Sequence, residues 1–148
     1  MFDVVTAELR CRCGHLAPEG ETSIQVHFRP SPDGSLLRVG DRVDVADPLA
    51  GPYLEIRDPA RGEDIHLLES WTCPVCGAGF NWALITLRDD EWIAGVESAD
   101  LTRATLDRAD YVTYQLRYVY PHYTGQPMTD GARVRLDWLA VLRAALPA

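Results

Sequence analysis

The four cysteines of this 148-residue chain fall into two close pairs, Cys11 with Cys13 and Cys73 with Cys76. Four thiols supplied by two short turns far apart in the sequence are the arrangement that a tetrahedral zinc site requires. A glycine directly follows each pair, and glycine readily takes the positive φ with which a backbone wraps around a metal ion. The spacing therefore predicts one structural Zn²⁺ per chain, held by the four cysteines.

Other roles for these cysteines stay open at the level of sequence. Cys11 and Cys13 are one residue closer together than in the usual CxxC turn, and His15 is near enough to replace one thiolate. Paired cysteines also form disulfides, redox-active CxxC motifs or free buried thiols. Redox motifs of the thioredoxin type precede a helix, whereas Gly77-Ala78-Gly79 breaks any helix start. Metal is the preferred interpretation, and four protein ligands would leave no open position for catalysis by the metal.

The segment Cys73-Pro74-Val75-Cys76-Gly77 resembles the CPxCG knuckle of zinc ribbons. Zinc ribbons place two such knuckles at the tips of two β-hairpins, where they hold a structural metal. The start of the chain, MFDVVTAELRCRCGH, together with the later LRVGD, is similar to small bacterial zinc-ribbon proteins. The resemblance implies a fold and a metal, and it implies no activity.

The charge of the chain excludes several functions. All 14 basic residues are arginine, so no lysine is present to bind a phosphate, form a Schiff base or act as a general base. The formal net charge of −8 repels the phosphate backbone of nucleic acids. We therefore expect no nucleic-acid partner, and a nucleic-acid-binding zinc ribbon is the least favoured function.

The N-terminal residues lack the basic-then-apolar pattern of a signal peptide. No apolar run approaches the roughly 20 residues that a membrane span needs. We expect a cytoplasmic protein that does not bind membranes. The length suits a single domain over residues 1–148.

Alternating apolar residues and turn signals about every ten residues predict antiparallel strands in the first two thirds of the chain. The predicted strands span 23–28, 53–58, 64–71, 80–87 and 91–97, and residues 36–45 are two apolar runs separated by a Gly-Asp turn. Residues 98–110 form a predicted helix with Ser98 or Asp100 as N-cap, followed by a strand over 111–120 and a helix over 137–146. The predicted class is α+β, with a β-rich antiparallel sheet and the cysteine site in 1–97 and a helix-strand-helix extension in 98–148.

Catalytic motifs are missing from the sequence, which has no GxSxG, no HExxH and no glycine-rich nucleotide loop. An enzyme would have to use His66 or His122 with carboxylates that the sequence does not place. A small hydrolase or transferase of this kind is the alternative function.

Five of the six tyrosines lie within 13 residues near the end of the chain. On a strand over 111–120, one face is uniformly apolar or aromatic and would turn to the core; it consists of Val112, Tyr114, Leu116, Tyr118 and Tyr120. The other face is mixed and would expose Tyr111 and Arg117 to solvent. Tyrosine and arginine are enriched at interface hot spots. We therefore expect a non-enzymatic protein-interaction module, of the adaptor, inhibitor or immunity type. Its expected partner surface consists of Tyr111, Arg117, His122 and Tyr123.

Overall fold

The computed structural model describes residues 3–28, 34–43, 45, 49, 53–57, 59, 62–88, 91–128 and 135–148. Within these residues lie ten strands and three helices, arranged in three sheets with a C-terminal helix. The predicted α+β class is confirmed.

The first five strands are short and build two small sheets. They are β1 (Asp3–Val5), β2 (Leu9–Arg10), β3 (Leu16–Ala17), β4 (Ile24–Val26) and β5 (Leu36–Leu37). In the three-stranded sheet, β1 pairs antiparallel with β4 and parallel with β5. In the two-stranded sheet, β2 and β3 form a hairpin. The sequence indicated β4 and β5, which lie inside the longer apolar patterns of 23–28 and 36–45. It indicated neither β1 nor this hairpin, whose strands are not part of such a pattern.

A five-stranded sheet forms the centre of the fold. Its strands are β6 (Tyr53–Glu55), β7 (Ile65–Trp71), β8 (Asn81–Arg88), β9 (Trp92–Ala99) and β10 (Tyr111–Thr113). The strand order is β6-β10-β7-β8-β9, and β7, β8 and β9 form an antiparallel meander. Because β10 pairs antiparallel with β6 but parallel with β7, the sheet is mixed rather than purely antiparallel.

Both faces of this sheet are buried, because successive residues of a strand point to opposite sides. Leu67 packs into the sheet-side core, which lies towards β1 and β4, and Leu68 packs into the helix-side core. The sheet-side core includes Val5, Leu9, Cys11, Ile24, Val26, Phe28, Leu67, Trp71, Cys73, Ile85 and Tyr111. The helix-side core includes Leu68, Trp82, Leu84, Leu106, Val112, Leu116, Tyr120, Trp138, Leu142 and Leu146.

Helix α1 (Arg103–Arg108) connects β9 to β10. Its N-cap is Thr102, whose hydroxyl accepts a hydrogen bond of 3.1 Å from the N–H of Thr105. The prediction of Ser98 or Asp100 as the cap is therefore wrong. The hydroxyl of Ser98 instead accepts a hydrogen bond of 2.8 Å from the N–H of Arg10, because β9 extends to Ala99 and holds Ser98 beside β2.

The predicted strand over 111–120 is wrong beyond Thr113. The chain turns there, and helix α2 (Leu116–Thr124) follows, with Pro121 inside it. Leu116, Val119 and Tyr120 are buried, and their spacing of three and four residues gives α2 one apolar face. The segment 111–120 fits a period of two, and Leu116, Val119 and Tyr120 also fit a helical spacing, so alternation alone could not separate the two structures.

The same change reverses the expected exposure of the tyrosines. Tyr118 and Tyr114 were expected in the core, and they are 71% and 36% exposed. Tyr111 was expected to face solvent, and it is only 6% exposed, since β10 lies between two neighbouring strands.

Helix α3 (Arg135–Ala145) begins two residues before the predicted start at 137 and ends one residue before the predicted end. It contributes Trp138 and Leu142 to the helix-side core. None of the helices among the described residues combines the length and the apolarity needed to cross a membrane.

Candidate metal centre

The four cysteines lie in two turns at the tips of two hairpins. The first cysteine turn, residues 11–15, connects β2 to β3, and the second cysteine turn, residues 72–80, connects β7 to β8. Each hairpin thus presents two thiols at the end where its strands stop pairing.

Each turn is closed by hydrogen bonds of its first cysteine. Cys11 donates its N–H to the carbonyl of His15 at 2.9 Å, and its own carbonyl accepts from the N–H of Gly14 at 2.9 Å. The carbonyl of Cys73 accepts in the same way from the N–H of Gly77 at 3.0 Å. Both glycines have positive φ, +92° at Gly14 and +72° at Gly77, as their positions after the cysteines predicted.

The four Sγ atoms all lie within 4.8 Å of one another. The Sγ atoms of Cys11 and Cys76 are 3.6 Å apart, and those of Cys13 and Cys73 are 4.0 Å apart. A tetrahedral site with metal–sulfur bonds of about 2.3 Å needs sulfur atoms about 3.8 Å apart, whereas a disulfide bond is about 2.05 Å long. The four cysteines are free and could hold a metal ion.

The site lies at the edge of the sheet-side core. Cys11 and Cys73 are 2% and 1% exposed and pack into that core, whereas Cys13 and Cys76 are exposed. His15, the alternative ligand, does not contribute a nitrogen to the group of converging ligand atoms, and its buried Nε2 has no hydrogen-bond partner among the described residues. The geometry therefore brings four thiols together rather than three thiols and an imidazole.

Asn81, the first residue of β8, joins the two turns and is only 3% exposed. Its Oδ1 accepts a hydrogen bond of 3.4 Å from the N–H of Arg12 and lies 3.5 Å from the Sγ of Cys11. Its Nδ2 donates to the carbonyl of Ala78 at 2.9 Å. In the sequence, the one signal for this residue is an amide at the start of a mostly apolar strand.

The surroundings of Cys73 and Cys13 shift the pKa values of their thiols in opposite directions. The backbone N–H of Cys76 lowers the pKa of the Cys73 thiol to about 7; burial opposes this shift, and the N–H of Val75 adds to it. The N–H of His15 also acts to lower the pKa of Cys13, but the three neighbouring thiols and partial desolvation raise it to about 11. Cys73 can thus supply a thiolate near neutral pH, and a bound metal would displace the remaining protons.

Two arginines place positive charge beside the thiols. Arg10 donates to the carbonyl of Gly14 at 3.3 Å, and Arg12 donates to the carbonyl of Gly79 at 3.1 Å. Four thiolates around a divalent metal carry a net charge of −2, so these guanidinium groups would offset the charge of a loaded site.

The structure separates the four residues expected at a partner surface. Tyr111 is buried and Arg117 is half-buried, whereas His122 is exposed and stacks edge-on against Tyr123, with ring centroids 5.5 Å apart. His122 and Tyr123 line a cavity of about 260 Å³. None of the five other described residues of this cavity belongs to the expected partner surface; they are Arg12, Gly79, Phe80, Tyr118 and Val119.

His66 has a carboxylate neighbour that the sequence could not place. Its Nδ1 lies 3.2 Å from Oδ2 of Asp110, and that oxygen also accepts from the N–H of His66 at 2.8 Å. The other oxygen of Asp110 pairs with Nε of Arg57 at 3.0 Å. Asp110, which lies just before β10, thereby links Arg57, just after β6, to His66 on β7. These three residues are far apart in the sequence.

No protein-family model, curated protein or solved structure matches this chain. Fold and site together define an α+β protein with a four-cysteine cluster that could hold a metal ion.

Proposed function

We propose that the protein is a zinc-ribbon-like interaction module, in which a structural Zn²⁺ held by Cys11, Cys13, Cys73 and Cys76 fixes a surface that another protein binds. The observation that supports it most strongly is the convergence of four Sγ atoms within 4.8 Å at the tips of two hairpins. Four thiolates in a tetrahedron are a ligand set characteristic of structural zinc.

A structural role follows from the number of ligands. Four protein ligands leave no coordination position for water or substrate, so the metal would stabilise the fold rather than activate a nucleophile. The metal would join turns that are 60 residues apart in the sequence. Closing a loop of this length removes about 4 kcal/mol of conformational free energy from the unfolded chain.

A protein partner is supported by the surface beside the site. Exposed large apolar side chains occur in both cysteine hairpins, at Leu16, Val75 and Phe80, and on α2 at Tyr118. His122 and Tyr123, two residues of the expected partner surface, lie next to Phe80 and Tyr118. Rigid aromatic side chains of this kind give large contact areas at a small cost in entropy.

Photo-crosslinking in the source cells tests this function. A photoreactive amino acid at position 122 should yield a covalent adduct with one partner protein, and the same group at the exposed position 36 on β5 should not. The adduct should also disappear when Cys73→Ser removes the metal. Equal adducts from both positions, or none from position 122, would contradict the proposed function.

The alternative, a small hydrolase or transferase, has one observation in its favour, the 3.2 Å contact between His66 and Asp110. A carboxylate on Nδ1 can orient an imidazole as a general base. The same carboxylate also binds Arg57 and the backbone of His66, as expected for a structural brace, meaning a group that only holds neighbouring segments together. If His66→Gln lowers stability and no ester, amide or phosphoester substrate is turned over, the brace is the correct interpretation.

A further inference from the structure

The backbone of Phe80 has an unusual conformation. Its φ is +56°, and it is the one described residue other than glycine with a positive φ. Such a conformation is strained for a side chain with a Cβ, and it persists only where the surrounding structure or a function requires it. The ring is not hidden in a core, because Phe80 is 37% exposed and its centroid lies 6.4 Å from that of Trp82. The strained turn therefore holds an aromatic ring at the surface.

Phe80 forms one wall of the 260 Å³ cavity between the second cysteine turn and α2. We call this cavity the aromatic notch; its described lining is Arg12, Gly79, Phe80, Tyr118, Val119, His122 and Tyr123. None of these residues is acidic, although the chain carries a net charge of −8. The side chains that line the notch therefore include one guanidinium group and no carboxylate.

Arg12 supplies the positive charge of the notch. Six other arginines form ion pairs with carboxylates in the part of the chain that the structure describes. Arg12 instead donates to the neutral carbonyl of Gly79, and no described carboxylate pairs with it. A guanidinium has five N–H donors, so Arg12 keeps donors for an anionic group of another molecule.

The size of the notch indicates what it receives. Pockets for whole small molecules usually have volumes of roughly 300–1,000 Å³, and the notch, at about 260 Å³, suits one or two side chains. It adjoins a larger cavity of about 610 Å³ that also includes Arg12 and Tyr123 in its lining. Two cavities that share a wall suit an extended chain, which places successive side chains in successive pockets.

We propose that the aromatic notch binds an acidic peptide segment of the partner protein, with one carboxylate on Arg12 and an adjacent aromatic or large aliphatic side chain between Phe80 and Tyr118. This inference rests on the proposed function, since it specifies the chemistry of the partner. The occupant follows from charge complementarity at Arg12 and from the exposed aromatic walls. Tyr118, which is 71% exposed, would lose most of its contact with water in the complex.

Selection from a phage-displayed library of random 12-residue peptides on the zinc-loaded protein tests the proposal. We expect the enriched peptides to share Asp or Glu next to Phe, Tyr, Trp or Leu. The Kd of one such peptide, synthesised with both ends capped, should rise at least tenfold with Tyr118→Ala and with Arg12→Gln. Zinc content, measured alongside, should stay at one per chain in both variants.

Matched variants separate the notch from general surface effects. Tyr114→Ala changes an exposed tyrosine outside the notch, and Arg42→Gln changes an exposed arginine outside it. Both should leave the Kd within twofold of wild type. Phe80→Gly removes the aromatic ring, so it should weaken peptide binding at least tenfold. Because glycine readily takes a positive φ, the melting temperature should not fall.

Peptides without acidic residues, or a Kd unchanged by Tyr118→Ala and Arg12→Gln, would overturn the inference. A single-stranded RNA probe that binds the notch more tightly than the peptide, and is lost in the same variants, would also overturn it. If a partner is crosslinked from position 122 but the peptide selection fails, the proposed interaction module is retained. Only the proposal that its partner binds through an acidic segment is then rejected. Failure of both would reject the proposed function as well.

Discussion

The two faces of the five-stranded sheet are held in different ways. The helix-side core is a set of apolar side chains closed by α1, α2 and α3. The sheet-side core is continuous with the cysteine site through Cys11 and Cys73, and its strand face also carries the buried carboxyl group of Glu69. The helix-side core thus contains no metal-binding cluster among the described residues, whereas the sheet-side core combines burial with a site that could hold a metal ion.

The elements that cover the sheet-side core explain this difference. The hairpin of β2 and β3 pairs only two residues from each strand. A hairpin of this length is not stable by itself in water. Since two of the four thiols come from this hairpin, a metal would attach it to β7 and β8. We therefore expect loss of the metal to disturb the sheet-side core before the helix-side core.

The largest effect is expected from Cys73→Ser, which removes one ligand. Apparent binding free energies of structural zinc are about 10–16 kcal/mol in small domains, so zinc should be lost and the free energy of unfolding should fall by more than about 5 kcal/mol. Metal analysis and denaturant titration measure both quantities. Val75→Ser, at an exposed position between Cys73 and Cys76, is the matched control and should keep any zinc that the wild type binds.

Hydrogen exchange should then show where the damage lies. Amides of β2, β3 and β4 should lose more protection than those of α2 and α3. Uniform loss over both faces would contradict the difference between the two cores.

Leu142→Ala should damage the other face. Leu142 is fully buried in the helix-side core, and truncation of such a residue costs about 2–5 kcal/mol. The variant should still bind one zinc per chain. Leu139→Ala, at a half-buried position on the same helix, should cost less, and a loss of zinc from Leu142→Ala would show that the faces are not separate.

Glu69→Gln should remove a pH dependence that belongs to the sheet-side core. Burial raises the pKa of Glu69 from 4.5 to about 8, and the nearby hydroxyls of Tyr53 and Thr113 oppose this only partly. Between these two values the unfolded chain is ionised while the folded chain keeps its proton. This group therefore lowers stability by about 1.4 kcal/mol for each unit by which pH rises within that window.

The difference between Glu69→Gln and wild type isolates this contribution, because the cysteine site is common to both proteins. The stability gained by the variant should grow by about 2 to 3 kcal/mol between pH 5 and pH 7. Exposed Glu8 provides the control, and Glu8→Gln should give no such trend. A gain that is constant with pH would mean that the carboxyl of Glu69 ionises normally.

The smallest effect is expected at the N-cap of α1. Thr102→Ala removes the hydrogen bond to the N–H of Thr105 and should cost about 1 kcal/mol. Thr102→Ser keeps the hydroxyl and should stay close to wild type in thermal unfolding. Equal losses in the two variants would assign the effect to the methyl group instead of the cap.

The sequence predicted the parts that depend on local pattern. The cysteine pairs and their trailing glycines indicated the turns, and the alternation from Ile65 to Trp71 indicated a strand that the structure contains. The meander of β7, β8 and β9 followed from turn signals between apolar runs.

The sequence could not predict features that arise from distant contacts. Residues 111–120 satisfy two periodicities, and the helix-side core selects the helix after Thr113. Asp110 meets His66 across 44 residues of sequence, so no local spacing connects them. The partner surface was predicted from the two faces of a strand over 111–120, whereas the turn and helix after Thr113 bury Tyr111 and expose Tyr118.

X-ray absorption at the zinc edge of the purified, reduced protein measures whether the four cysteines hold zinc. We expect one zinc per chain with four sulfur neighbours at about 2.3 Å and no nitrogen or oxygen neighbour. A nitrogen neighbour at about 2.0 Å would indicate that His15 replaces one thiolate. A zinc-free, folded protein with a Cys73–Cys76 disulfide would show that the cysteines do not form a metal site.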